Sequence, residues 1–270
     1  MSDPLAAELL ERIADFVRAR CGIALDSSKD YLIEGRWRDL LREQGCSDYL
    51  RLCERVQVDS RLADRLIDAI STKETSFFRD ATPFTMLQTY LLPQMLAARS
   101  GGTVKIWSAA CATGQEVYSL AMIVVELLGP SRRVEILGTD LSETALNQAR
   151  EGSDSTLEAD RGLTVDRRSR HFEAIDSNWK ASTELRSLVT FRRVNLLNMP
   201  TDLGPFDIIL CRNIAAYFDE ANRQRLYDAV ALRLLPEGAL IVGSTESLVG
   251  VRHSLERCDA GGSVHFRRRA

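Results

Sequence analysis

Five apolar, strand-like runs interleaved with helical patterns restrict the fold of this chain more than any other feature. VKIWSAA (104–110) precedes the helical EVYSLAMIVVELL (116–128), and VEILGTD (134–140) precedes SETALNQAR (142–150). VTFRRVN, FDIILCRN and GALIVGS follow, with the helical ANRQRLYDAVALRLL before the last of them. Strands that alternate with helices of this length predict an α/β fold with a doubly wound, mostly parallel, Rossmann-like sheet. Such sheets bind ligands at the carboxyl ends of their strands.

One polar block interrupts the alternation, from residue 152 to about residue 190. Within it, HFEAIDSNWKAST is typical of a hairpin that turns at Asp176-Ser177-Asn178. We predict that this block forms a small antiparallel β-subdomain inserted into the main sheet.

The first 72 residues carry helical periodicity and no convincing strand, which predicts an all-α N-terminal domain, 1–72. Asp3-Pro4 suits the start of its first helix and Gly22 suits the end. Residues 73–100 then form a linker to the α/β domain, 101–270. A candidate basic docking face lies on neighbouring turns of the second predicted helix, although a solvated surface is the simpler interpretation of each residue: Arg36, Arg38 and Arg42.

Composition disfavours several classes of function. The net charge of −3 gives no overall basic field for nucleic acid or for an anionic membrane surface. No apolar stretch reaches the length of a membrane span, and the N-terminus lacks the pattern of a signal peptide. The six cysteines show no C-x-x-C spacing and are expected to be reduced. We expect a cytoplasmic monomer that neither binds nucleic acid nor inserts into membranes.

The ends of the first two strands of the α/β domain carry the candidate ligand site. The stretch AACATG (109–114) joins the first strand to its helix, and such small side chains let main chain approach a ligand closely. It lacks the G-x-G-x-x-G fingerprint, which disfavours a pyrophosphate. Asp140 ends the second strand, where a carboxylate can accept hydrogen bonds from both hydroxyls of a ribose. The pair indicates a nucleoside without a pyrophosphate, such as S-adenosylmethionine; a structural turn with a helix cap is the alternative.

Six short motifs then occur in order along the chain. They are STKETSFFRD (71–80), SAACATGQEVYSLAM (108–122), GTDLSETAL (138–146), FRRVNLLN (191–198), FDIILCRNIAAYFD (206–219) and GSTESL (243–248). Together they closely resemble the CheR-type chemotaxis-receptor methyltransferase family, from the N-terminal helices to about residue 250. The stretches that contain FFR and CRN-x-x-x-YFD are specific to that family rather than to methyltransferases at large.

The resemblance implies methyl transfer from S-adenosylmethionine to a glutamate side chain of a bacterial signalling receptor, with S-adenosylhomocysteine as the product. A glutamate carboxylate at neutral pH is already an anionic nucleophile, so this reaction needs no general base. The three histidines match no motif position, which agrees with that chemistry. Most of the task left to the protein is in-line positioning of the reactants.

The resemblance also assigns roles to single residues. Arg79 is similar to the family arginine that holds the incoming carboxylate, for which a forked guanidinium is well shaped. Tyr217 is similar to the tyrosine near the transferring methyl group, and Asp140 should hold the ribose. No metal is implied. The residues expected to contact the cofactor are Lys73, Thr75, Arg79, Ala110, Glu116, Asp140, Asn195, Leu196, Arg212 and Asn213.

Several positions depart from the family pattern. Lys73 stands where asparagine is usual and brings a cation towards a cationic cofactor; at ~6 Å and an effective dielectric of about 20, two such charges repel by roughly 3 kcal/mol. Gln115 replaces a frequent glutamate, and Cys111 replaces a glycine or another small residue. None of these departures removes the residues assigned above to the reaction.

Three functions compete on the sequence alone. The first is a glutamate O-methyltransferase that acts on a chemoreceptor or a related signalling protein. The second is a cofactor-binding regulatory or scaffold protein with weak or no turnover. The third is a methyltransferase of nucleic acid or of a small molecule, and the acidic charge balance argues against nucleic acid.

The inserted hairpin bears on how a receptor is recognised. Some family members grip a tethering peptide of the receptor tail on their β-subdomain by adding it as a strand. The connection 176–178 is short and leaves little loop for such a contact. We therefore predict no binding of a tail pentapeptide and recognition of receptor helices through the N-terminal helices.

Overall fold

Two units make up the part of the chain that the structure, a computed structural model, describes: residues 7–25, 30–129 and 133–268. One unit contains the residues up to Thr72 together with Tyr217–Asn222, and the other contains Lys73–Ala216 and the residues from Arg223 on. Within the described ranges, no helix has both the length and the apolar character needed to span a bilayer.

Four α-helices form the described part of the first unit, as the N-terminal periodicity predicts. Its core is apolar and includes Ile13 and Trp37, each with 0% of its surface exposed. The first helix ends at Cys21, directly before Gly22, whose φ of 80° suits a helix end; the predicted start at Asp3-Pro4 lies outside the described residues. The helices are α1 (Ala7–Cys21), α2 (Asp30–Glu43), α3 (Tyr49–Val58) and α4 (Ser60–Ile70).

The three arginines of α2 differ in their surroundings. Arg36 is half-buried and donates to the carbonyl oxygen of Ile70 at 2.6 Å, which satisfies the last turn of α4. Arg38 and Arg42 are exposed, and Arg42 lies 3.8 Å from Asp39. Arg36 thus stabilises the helical unit, and the candidate docking face reduces to Arg38 and Arg42.

The second unit is built on a seven-stranded sheet and a three-stranded sheet. The ten strands are β1 (Val104–Ala109), β2 (Val134–Asp140), β3 (Ser153–Ser155), β4 (Phe172–Ile175), β5 (Asn178–Ala181), β6 (Val189–Arg193), β7 (Phe206–Cys211), β8 (Leu234–Val242), β9 (Leu255–Ala260) and β10 (Ser263–Arg268). The helices are α5 (Ala81–Met86), α6 (Leu92–Ala98), α7 (Gln115–Leu128), α8 (Glu143–Glu151), α9 (Thr156–Asp160), α10 (Val165–His171), α11 (Thr183–Ser187) and α12 (Glu220–Leu232).

The large sheet has the strand order β6-β2-β1-β7-β8-β10-β9. Its first five strands in this order are parallel, and only β10 and β9 run antiparallel to their neighbours. All six residues of β7 are buried, which explains why FDIILC is a nearly unbroken apolar run. The predicted fold class, a mostly parallel α/β sheet with an antiparallel insertion and an all-α N-terminal region, is confirmed.

Two parts of the second unit were not predicted as regular structure. The hairpin β9–β10 has few buried residues among charged and partly exposed ones, so it offers no apolar run to recognise. The segment between 73 and 100 contains α5 and α6, joined by a π-helical turn, Leu87–Leu91. The last predicted helix is also shorter than expected, because Leu234 already begins β8.

The insertion forms the small antiparallel sheet β3-β5-β4, with α9, α10 and α11 around it. Ile175 pairs with Asn178, so the hairpin turn contains only Asp176 and Ser177 and is one residue shorter than predicted. Asp176 has a φ of 53°, the left-handed conformation that two-residue hairpins require.

A buried carboxylate joins this insertion to α7. Gln115 Nε2 donates to Asp154 Oδ1 at 2.5 Å, and the two residues are 2% and 3% exposed. Burial raises the pKa of Asp154 to about 7, and the nearby Glu158 carboxylate adds to the rise. The folded state therefore favours protonated Asp154 over a pH range in which an exposed aspartate is ionised.

Asp154→Asn should remove a pH dependence of stability. Because the folded-state pKa lies above the ordinary value of 3.8, the contribution of Asp154 to the free energy of unfolding is complete below about pH 4 and is lost as pH rises through about 7. Relative to this variant, the wild type should lose roughly 4 kcal/mol over that range, measured by urea unfolding. Asp176→Asn in the exposed turn is the control; identical pH profiles for all three proteins would contradict this role.

Candidate active site

The turn after β1 places main-chain groups at the carboxyl edge of the large sheet. Ala110 and Ala112 adopt positive φ values of 61° and 49°, and Gly114 has a φ of 96°. A Cβ on Gly114 would lie 2.8 Å from the Cβ of Ala149 on α8, so only glycine fits there. Close packing of the turn therefore requires glycine at position 114, and the small residues of the turn keep bulky side chains away from the strand ends.

Asp140, at the end of β2, holds the neighbouring turns together. Its Oδ2 accepts from the main-chain N–H of Ala112 at 2.9 Å, and its Oδ1 accepts from that of Ser142 at 2.9 Å. Its main-chain oxygen accepts from Val194 N at 3.0 Å, which brings the residues after β6 to the same edge. The carboxylate is thus fixed in orientation at the strand end where a ribose is predicted.

Arg212 is a buried cation at the end of β7, with 2% of its side chain exposed. Its Nη1 donates to Glu116 Oε2 at 2.7 Å, and its Nη2 donates to Asp80 Oδ2 at 3.0 Å. The same Nη2 donates to the main-chain oxygen of Arg79 at 2.7 Å. Ser108 Oγ donates to the other Glu116 oxygen at 2.7 Å. One guanidinium therefore links the end of β7, the start of α7 and residues 77–80, which we call the FFRD stretch.

The FFRD stretch is held in an unusual main-chain conformation. Phe78 and Asp80 have positive φ values of 48° and 56°, and the N–H of Phe78 donates to Ser119 Oγ at 3.0 Å. The half-buried Arg79 donates from Nη1 to the main-chain oxygen of Glu74 at 3.1 Å. Positive φ at a phenylalanine persists only where surrounding contacts impose it, and such positions cluster at functional sites.

Glu246 is a residue of this edge that sequence reasoning left without a role. Its Oε2 accepts from Asn213 N at 2.7 Å and from Gly243 N at 2.9 Å, and its Oε1 accepts from Ala215 N at 2.9 Å. A Cβ on Gly243 would lie 2.7 Å from the same Oε2. Glu246 therefore cross-links the loops after β7 and β8. Its motif, GSTESL, could have drawn attention to it, but its bonding partners come from another part of the chain.

The predicted cofactor residues fall on two parts of the second unit. Leu196 is 7% exposed, and Asn195 Oδ1 accepts from Leu197 N at 3.0 Å. Tyr217 belongs to the first unit, where its main-chain oxygen accepts from Ala24 N at 2.8 Å. The loops and helix at the carboxyl edge carry Ala110, Glu116, Asp140, Asn195, Leu196, Arg212 and Asn213, and the stretch before α5 carries Lys73, Thr75 and Arg79.

The residues at this edge fit a nucleoside that ends in an amino acid. The turn after β1 has no side chain larger than threonine, Asp140 is an oriented acceptor, and the buried Nε of Arg212 has no hydrogen-bond partner in the described part of the chain. No pyrophosphate fingerprint is present in the turn. The fold and this edge define a nucleoside-binding α/β domain of the methyltransferase class.

Comparison with known proteins identifies the family. The profile described as CheR methyltransferase, SAM binding domain, matches residues 73–262, and that of the CheR all-alpha domain matches residues 8–71. Chemotaxis protein methyltransferase 1 of Vibrio cholerae is 39% identical over 259 residues, which cover 91% of this chain and 92% of that protein. The protein of the same name from Pseudomonas aeruginosa is 36% identical over 255 residues, with 91% and 93% covered. The chain belongs to the CheR methyltransferase family, and its cofactor is S-adenosylmethionine, as predicted.

Arg212→Met should destabilise the second unit strongly. The substitution leaves the Glu116 and Asp80 carboxylates without their buried partner, which typically costs about 3–5 kcal/mol. Adding Glu116→Gln should recover part of the loss, since a neutral amide needs no cation. The measurement is unfolding in guanidinium chloride, with Arg192→Met as the control.

The control removes an exposed ion pair. Arg192 and its partner Asp202 are 41% and 69% exposed, so its loss should cost less than ~1 kcal/mol. Equal effects at positions 192 and 212 would contradict a structural role for the buried guanidinium.

Proposed function

We propose that this protein transfers the methyl group of S-adenosylmethionine to a glutamate carboxylate on a bacterial chemoreceptor, forming a methyl ester. The observation that carries this proposal is the position of Arg79. Its main-chain oxygen accepts from Arg212, which holds Arg79 close to the carboxyl edge of the large sheet. A forked guanidinium is well shaped to hold a carboxylate in one orientation. Membership of the CheR family supports a chemoreceptor as the substrate. We further propose that the protein acts in the cytoplasm as a monomer and does not act on nucleic acid.

The chemistry requires orientation rather than proton transfer. S-adenosylmethionine, when bound, supplies an electrophilic methyl group on a sulfonium with a neutral leaving group. The receptor carboxylate is ionised at neutral pH, so the protein needs no general base. The histidines make their contacts elsewhere: His171 lies 3.3 Å from Glu126, His253 Nδ1 lies 3.1 Å from the Leu255 oxygen, and His265 is buried on β10. Arg79 therefore acts by alignment, which can supply several kcal/mol of the barrier.

The remaining roles follow the position of each residue. Asp140 accepts from the ribose hydroxyls, and Asn195 and Leu196 flank the adenine. Glu116 faces the amino-acid portion or the ribose of the cofactor and also holds Arg212, because each carboxylate oxygen can accept more than one hydrogen bond. The family resemblance assigns Tyr217 a role at the transferring methyl group. Lys73, Thr75, Ala110 and Asn213 complete the cofactor contacts.

The reaction is tested with radiolabelled cofactor and a chemoreceptor fragment that contains its glutamate-bearing helices. We expect incorporation of label that mild base releases as methanol, because an ester is labile where methylated amines or nucleobases are not. Arg79→Ala should abolish transfer while sparing much of the affinity for S-adenosylhomocysteine, and Tyr217→Phe should lower kcat more than it affects binding. Transfer by both variants at the parent rate would show that the reaction occurs elsewhere.

The same assay separates the alternatives. Cofactor binding without transfer to any receptor fragment would favour a regulatory or scaffold protein that has kept the fold and lost turnover. Base-stable label would indicate methylation of another kind of acceptor. Absence of measurable binding to either cofactor form would contradict both the enzymatic and the regulatory proposal.

Asp140→Ala should weaken S-adenosylmethionine binding by ~1.5–3 kcal/mol, the usual consequence of losing hydrogen bonds to a charged group. Part of this effect should arise from the turns, because Ala112 and Ser142 lose their acceptor as well. Calorimetry measures the affinity, and Asp202→Ala, a change at an exposed carboxylate, is the control. An unchanged affinity in Asp140→Ala would place the cofactor in another pocket.

The protein should not bind a receptor-tail pentapeptide with micromolar affinity. Strand addition needs a shaped loop beside an exposed strand edge, and although β4 lies at the edge of the small sheet, its turn contains only Asp176 and Ser177. Calorimetric titration of a tail peptide measures this directly. Micromolar binding that maps to residues 170–190 would contradict the prediction.

Recognition through the helical unit makes a complementary prediction. Charge reversal at the exposed Arg38 and Arg42 should reduce transfer to an untethered receptor fragment, because an acidic receptor helix would lose its attraction. Arg61→Glu, at an exposed position on α4, is the control, and methyl transfer at several salt concentrations is the measurement.

A further inference from the structure

The inserted β-subdomain packs directly against the stretch that carries Arg79. Gly162, between α9 and α10, has a φ of 109°, and a Cβ there would lie 1.9 Å from the main-chain oxygen of Phe77. The ring of Phe77 meets that of Phe172 edge-on, with 5.4 Å between centroids. The main chain just before Arg79 therefore lies against the insertion on one side.

Arg167 on α10 belongs to the insertion and contacts Phe78, the residue directly before Arg79. Its Nε and Nη2 donate to the two carboxylate oxygens of Glu126 on α7, at 2.9 and 2.8 Å. The Arg167 and Glu126 side chains are 24% and 18% exposed, so the pair is largely shielded from water. A bidentate pair fixes the plane of the guanidinium. That plane lies over the ring of Phe78, with the guanidinium carbon 4.0 Å from the ring centroid.

Phe78 is the residue through which this contact reaches the reaction site. Its φ is 48°, a conformation that a phenylalanine seldom adopts unless neighbouring contacts impose it. On its other side the ring meets Phe84 edge-on, at 5.4 Å between centroids. Because Phe78 directly precedes Arg79, a change in the main-chain conformation of Phe78 would change the direction in which the Arg79 side chain leaves the main chain.

We propose that Arg167 is a positioning residue for Arg79: by clamping the ring of Phe78, it holds the main chain in the conformation that directs the Arg79 guanidinium to the substrate. The inference rests on the proposed role of Arg79 in methyl transfer. It gives the inserted subdomain a function in every turnover, independent of any receptor-tail peptide. Glu126 acts with Arg167, because it orients the clamping guanidinium.

The test compares Arg167→Met with Arg170→Met. Both arginines lie on α10, but Arg170 is exposed and pairs with Asp166 at 2.8 Å. Arg167→Met should lower kcat for receptor methylation about 10- to 100-fold, the range expected when a reacting group is slightly misplaced. Its affinity for S-adenosylhomocysteine should match that of Arg170→Met. Loss of the shielded pair should lower its melting temperature, but the protein should remain fully folded at the assay temperature, which circular dichroism checks. Arg167→Lys should recover little activity, because an ammonium cannot form both the bidentate pair with Glu126 and the guanidinium contact over the Phe78 ring.

Coupling to Arg79 distinguishes positioning from a general structural effect. In an Arg79→Lys background, which retains residual transfer, adding Arg167→Met should lower kcat much less than it does in the wild type. An undiminished effect in that background would overturn the proposal. So would a kcat in Arg167→Met equal to that of Arg170→Met, or a loss of activity matched by loss of folded protein.

A second measurement does not depend on activity. Hydrogen exchange at the Phe78 amide, which is bonded to Ser119 Oγ, should be about tenfold faster in Arg167→Met than in Arg170→Met or the wild type. If the wild type methylates no receptor, the proposed function fails, but hydrogen exchange at the Phe78 amide still tests whether Arg167 holds Phe78 in place. Unchanged exchange in Arg167→Met would overturn it.

Discussion

The buried guanidinium of Arg212 is the interaction on which the arrangement of the candidate site depends. A cation removed from water must be surrounded by acceptors, and here they come from the start of α7, from Asp80 and from the main chain of Arg79. Glu116 is itself held by Ser108 on β1. Because the buried cation needs these acceptors, it ties residues 79–80 to the central strands of the sheet.

Two further carboxylates extend the same principle along the sheet edge. Asp140 and Glu246 accept from main-chain N–H groups of the loops around them, five bonds in the described part of the chain. Loops held in this way do not have to be ordered by a ligand, so less binding free energy is lost when the cofactor is bound. The acidic side chains of this edge therefore support the site, whether or not they also touch the cofactor.

The fold was predictable where burial is continuous, and the site was predictable only in part. A parallel strand such as β7 is buried along its whole length and apolar except for Asp207, so it can be recognised in the sequence. The strands β9 and β10 mix charged and buried residues and cannot be recognised in this way. The strand-end position of Asp140 followed from the alternation of strands and helices. The contact from Arg212 to Glu116 spans 96 residues, and that from Arg212 to the main chain of Arg79 spans 133. No local sequence pattern predicts contacts between residues so far apart. The contact between Arg167 and Phe78 could not be predicted for the same reason.

The contacts of Gln115 give a physical reason for an amide at this position. A glutamate here would face the buried Asp154, and two carboxylates in contact would have to share a proton. The amide avoids this, because its Nε2 donates to Asp154 while its Oε1 accepts from Thr113 Oγ at 2.7 Å. Thr113 belongs to the turn after β1, on the cofactor side of the sheet edge. The inserted subdomain therefore contacts that side through Asp154 and the Arg79 stretch through Arg167, so a change in its packing would affect both.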